Sequence, residues 1–170
     1  MIDNINMALQ SLKQNLSTYL DDNGWKKRYN LFIAGDNDLV GKEIVENITN
    51  DMDKRKYVSL PLIVIEIGTI RNDAFEIGNS DGRDQIMTSI IIHAADEVQL
   101  IELSNFIRRK INDLSFNVYD FRYPKRELVG TAVLSDIVLT NLSDSNASHI
   151  AERNVNIINS TMDLDASNLI

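Results

Sequence analysis

His93 and His149 are the two histidines of the chain and the side chains best suited to move protons near neutral pH. They stand far apart in sequence, and no serine or carboxylate is spaced with either as a shared-proton constellation requires. Both are read as structural, His93 on a strand face shared with Met87, Ser89 and Ile91, and His149 just ahead of the last strand. Asp163 and Asp165 would be an acid pair of the kind glycoside hydrolysis uses, but no aromatic sugar platform accompanies them, and they read as solvated. From Gly35 to Glu43 the chain resembles a phosphate-binding loop only superficially. Five residues separate Gly35 from Gly41, and Glu43 stands where a hydroxyl would hold magnesium. Asp36, Asp38 and Gly41 suggest a calcium loop, yet Val40 at its fifth position offers no oxygen and Asn47 at its twelfth is no bidentate ligand.

Composition narrows the chemistry further. The 170 residues contain no cysteine, which removes disulfides, thiolate nucleophiles and cysteine metal sites together. No cofactor or metal is expected. Seventeen basic against twenty-five acidic side chains give a net charge of −8, unfavourable for gripping phosphate. The basic knots at Lys26-Lys27-Arg28, Lys54-Arg55-Lys56, Arg108-Arg109-Lys110 and Lys125-Arg126 read as solvated surface. Tyr119, Phe121 and Tyr123 alternate along one strand, as a base-stacking platform would, but without a continuous basic groove they read as cover for the sheet or for a helix. No leader is visible, and the apolar run around Ile63 is too short to span a bilayer, so no membrane partner is expected.

The elements that must position these residues follow from periodicity. Asp3 is placed to N-cap a helix whose stripe is Ile5, Leu9, Leu12, Leu16 and Tyr19 or Leu20, ended by Asp21-Asp22-Asn23-Gly24. A short strand is expected around Tyr29–Ile33, then a second helix opened by Gly35-Asp36-Asn37-Asp38 with Val40, Ile44, Ile48 and Met52 on its buried side. Leu60 to Ile67 is a β-branched strand entered through Pro61, and Asn79-Ser80-Asp81-Gly82 is turn chemistry before the strand from Gln85 to Ala95. Asp96 caps a third helix, Gln99 reaches back in a capping-box variant, and Leu100, Leu103, Phe106, Ile107, Ile111 and Leu114 share its buried face. Strands are expected at Phe116–Phe121, Val129–Thr140 and Asn154–Ile158. The predicted fold class is α+β, a mostly antiparallel sheet with helices packed against it. Residues 1–160 would form one domain with an insertion at about 21–58, and 161–170 a loose C-terminal tail.

This order of parts has a counterpart. A strand from Pro61, then Phe75-Glu76-Ile77-Gly78-Asn79, a charged turn with Arg83, and the long strand Ile86 to Ala94 precede a Leu- and Ile-rich helix. Val118-Tyr119-Asp120-Phe121, a strand opened by Leu128-Val129-Gly130, and the stretch from His149 to Ile158 complete the series. Across roughly 61–158 the chain resembles the neck and tail-terminator (tail-completion) proteins of tailed bacteriophages, and departs from their compact pattern through the extra segment from Trp25 to Tyr57. The resemblance implies a non-enzymatic virion protein, made in the host cytoplasm and built into the head–tail junction. It implies a homo-oligomeric ring, a hexamer or dodecamer, contacting connector or portal-side proteins and tail tube or sheath proteins. DNA would pass through without sequence-specific binding. Glu76, Asn79, Ser80, Asp81 and Arg83 would then form an interface or lumen loop, with exposed strand edges and the tail after Thr161 as further contacts. The rivals are a small ferredoxin-like ligand-binding or regulatory domain, and an enzyme whose acids and histidines converge only in three dimensions.

Overall fold

A computed structural model describes residues 2–74, 82–122, 127–142 and 154–165. The elements run α1 (Ile2–Asp22), β1 (Asn30–Ile33), β2 (Glu43–Val45), β3 (Tyr57–Ser59), β4 (Leu62–Ala74), β5 (Gly82–His93), α2 (Glu97–Ile111), β6 (Ser115–Asp120), β7 (Glu127–Asn141) and β8 (Val155–Asp165). Six strands form one sheet in the order β1-β4-β5-β8-β7-β6, antiparallel except where β1 joins β4. This is the expected α+β class.

The sheet curls, and α1 packs against both of its outermost strands. Towards β1, the Tyr29 hydroxyl donates to Ser17 O at 3.0 Å, and Lys13 Nζ lies 5.8 Å from the centre of the Phe32 ring. Towards β6, the buried Ser11 hydroxyl accepts the backbone N–H of Tyr119 at 3.0 Å. The apolar stripe explains why α1 sits there. Ile5, Leu9, Leu12, Leu16 and Leu20 are all buried against Ile63, Ile65, Ile86 and Ile90, each such side chain stabilising by about 1.5–3 kcal/mol. Asp3, expected as the cap, lies within the helix, which runs from Ile2.

The third predicted helix is α2. Asp96 Oδ1 accepts Gln99 N at 2.7 Å, while Gln99 Oε1 reaches one residue beyond the cap to Ala95 N at 2.9 Å. Arg108, Arg109 and Lys110 fill its last turn, opposite the macrodipole. Leu100, Leu103, Ile107 and Ile111 are buried on the sheet.

Alternation sets the two faces of that sheet. On β5, Ile86, Thr88, Ile90 and Ile92 point to the helices, and Gln85, Met87, Ser89, Ile91 and His93 to the other side. β8 continues the same period through Ile158, Ser160, Met162 and Leu164, all buried. Residues 161–165 are therefore not a loose tail: they complete a strand held between β5 and β7. Asp163 and Asp165 on the outward face hid that period from a composition-based reading. Residues 166–170 lie outside the described residues.

The predicted second helix does not form. Gly35 and Gly41 take φ of +84° and +78°, left-handed turn geometry that interrupts any helix there. Val40, expected inside, is 64% exposed. Ile48 and Met52 fall in irregular and turn backbone, and Ile44 belongs to β2, which pairs in parallel with β3. Leu39 and Ile44 pack with Val58, Leu60, Leu62 and Val64 as a small second cluster that includes Phe32 and Ile91. This part of the extra segment covers the outer face at the β1–β4 end. β1, within the same stretch, is an integral strand of the main sheet, as the expected strand at Tyr29–Ile33 anticipated.

Candidate functional site

Of the loop residues singled out in the sequence, Glu76, Asn79, Ser80 and Asp81 lie outside the described residues. Arg83 belongs to β5, opposite Asp73 of β4. The loop is thus the connection of the β4–β5 hairpin. His149 and Tyr123 also lie outside the described residues. His93 is half-buried at the end of β5, between Leu62 and Val155, on the predicted face. Asp163 sits in register with Gln85 and Val133, and Asp165 with Thr131. Among the described residues, no group of three or more His, Asp or Glu side chains is placed to hold a metal ion.

Several grooves border α1. One, of about 320 Å³, is lined by Ser11, Thr18, Tyr19, Lys110, Tyr119 and Phe121. Tyr119 and Phe121 meet edge to face, centroids 6.5 Å apart at 72°, a geometry in which they present no common flat surface to a base. Lys110 Nζ instead stands 4.7 Å from the centre of the Tyr19 ring, and Tyr19 stacks on Phe106 at 4.6 Å. Tyr19, Phe106 and Lys110 thus tie α1 to α2, while Tyr119, on the β6 face shared with Asn117, and Phe121 line the groove beside them. Another groove, of about 560 Å³, lies between the end of α1 and the start of α2, beside Trp25, Arg28, Asp96, Val98 and Glu102.

Charge is organised locally. The Arg122 guanidinium and backbone N–H both bind the buried Asp120 carboxylate, the closest contact being 2.9 Å, and together they hold it below the usual carboxylate range. Burial pushes the Tyr29 phenol up, opposed by its hydrogen bond with Ser17 and reinforced by Asp21. Tyr29 thereby ties the carboxyl-terminal turns of α1 to the segment entering β1, whereas the Asp120–Arg122 pair is local to the end of β6.

The sheet margins are uneven, and the sequence named no strand for the exposed edges it anticipated. β1 stops opposite Ile65, where Ala34 N donates to Ile65 O. Beyond that point β4 continues to Ala74 with β5 on one side and, among the described residues, no strand on the other. Glu66, Ile67, Gly68, Thr69, Ile70 and Arg71 are all exposed along it. β7 likewise outruns β6 beyond Leu134, but there Asp136, at φ +54°, falls where the β7–β8 register shifts. α1 packs against β1 and β6, the outermost strands, and the segment after Thr161 is occupied within the sheet up to Asp165. The strand expected from sequence ended at Ile67, whereas β4 runs on through an irregularity at Gly68 and Thr69 to Ala74. No helix among the described residues is long and apolar enough to cross a membrane. No protein-family model matches this chain, and no curated protein sequence matches it.

Proposed function

We propose that this chain is a structural subunit of a tailed-phage virion that forms a ring at the head–tail junction, as a neck or tail-terminator protein, and catalyses nothing. The observation that carries the reading is the order β4-β5-α2-β6-β7-β8, which follows, element for element, the series of parts through which the sequence resembles that family. Its partners would be copies of itself, connector or portal-side proteins above, and tail tube or sheath proteins below. A net charge of −8 suits a channel that DNA must traverse without being held. The β4–β5 hairpin, with its connection at 75–81, is the element best placed to reach a neighbour or the lumen.

The ligand-binding rival loses its ferredoxin-like build. That build needs β-α-β-β-α-β, whereas here both strands of the β4–β5 hairpin precede α2 and three strands follow it. The test is to mix purified protein with tails or connectors isolated from a compatible particle and image the result. Annular density at the junction supports the proposal. A protein that stays monomeric and joins neither structure contradicts it.

A further inference from the structure

We infer that the edge of β4 beyond Ile65, which has no strand neighbour among the described residues, pairs with the same edge of a second copy, antiparallel, across a two-fold axis between Gly68 and Thr69. A strand edge without a neighbour presents backbone donors and acceptors that another strand can satisfy, and an edge meeting its own copy makes an isologous pair. The composition of this edge fits that partner. In the register that sets Gly68 against the second copy's Thr69, Glu66 faces Arg71 and Arg71 faces Glu66, while Ile67 faces Ile70 and Ile70 faces Ile67.

The faces agree as well. Glu66 pairs with Ser89 and Arg71 with Gln85, both on the outer face, so the opposite charges meet on one side. Ile67 pairs with the buried Thr88, and Ile70 with the buried Ile86, so the isoleucines meet on the other side. They are 39% and 41% exposed in the single copy, and the second copy would cover them. The irregularity in the β4–β5 ladder falls between Ile67 and Ile70, centred on the proposed axis, so both copies carry it symmetrically. The open stretch of β7 is a poorer match: Asp136 interrupts it in left-handed geometry and Ile137 turns to the core. The inference does not depend on the ring reading; in a ring, the contact would join two rings back to back.

The chain has no cysteine, so engineered thiols report cleanly. The protein carrying Ile67→Cys and Ile70→Cys together, oxidised mildly, should give a covalent band at twice the 19.3 kDa of the chain on a non-reducing gel. Adding Glu66→Arg or Arg71→Glu should each weaken that band several-fold, by setting like charges opposite one another. Combining the two changes in one chain should restore it, as should mixing the two single-charge variants, because either case recreates opposite charges at both positions. Absence of the covalent band, or failure of the combined variant to recover it, overturns the inference. So does preferential linkage of Ile70→Cys to Ile137→Cys, which would place β4 against β7 of the next copy.

Discussion

Ser11→Ala isolates the way α1 closes the curled sheet. Ser11 is 1% exposed, and its hydroxyl oxygen accepts the N–H of Tyr119 at 3.0 Å, where the β6–β7 register shifts between Val118 and Tyr119. Alanine fits the helix and improves its intrinsic propensity, so helix formation itself should not suffer. What remains is a part-buried backbone donor without an acceptor, worth about 1–3 kcal/mol of destabilisation. In a chain of this size about 2 kcal/mol corresponds to a fall of roughly 4–8 °C in Tm. Urea and thermal unfolding followed by circular dichroism would read the loss, and amide exchange would locate it at Tyr119. Thr18→Ala, on the exposed side of the same helix, is the comparison and should stay within about 0.5 kcal/mol of the parent. If Ser11→Ala behaves like Thr18→Ala, or if the Tyr119 amide keeps its protection, α1 does not secure β6 in this way.

Other outcomes follow from the same geometry. Asp96→Ala removes the acceptor for Gln99 N and should lower stability by about 1 kcal/mol, measured by urea unfolding. Asn156 Nδ2 donates to the Ser104 hydroxyl beneath α2, and Asn156 Oδ1 is buried with no partner among the described residues; Ser104→Ala alone should destabilise, and joining it with Asn156→Val should recover most of the loss in a double-mutant cycle. The Asp120 carboxyl, held down by Arg122, should titrate below the ordinary aspartate value of about 3.9. Its contribution to stability is then complete above that value and disappears as pH falls through the folded-state pKa; carbon-detected titration would show Asp120 moving up in Arg122→Ala.

The strongest periodic segments were legible in the sequence. The leucine stripe of α1 and the capped α2 are dictated by side chains that act locally, so the helices and their buried faces could be read without tertiary information. The same holds for β5, whose alternation is regular. The region from Gly35 to Tyr57 was misread because Val40, Ile44, Ile48 and Met52 recur at helical spacing, whereas glycines in left-handed geometry and a long-range cluster around Leu62 decide its path. The end of β8 was missed because Asp163 and Asp165, half-buried on the outward side of a central strand, interrupt the apolar residues whose alternation marks it. The open edge of β4 was invisible for another reason: whether a strand has a neighbour depends on where β1 stops, a fact of topology. Of the residues proposed for a functional loop, only Arg83 falls on described backbone, at the start of β5.

The most direct test is electron microscopy of the purified 170-residue chain, alone and added to tails lacking their terminal ring. The account predicts annular particles with a central channel, and the same annulus seated on the tail end. Discrete single subunits at every concentration, with tail ends left bare, would contradict it.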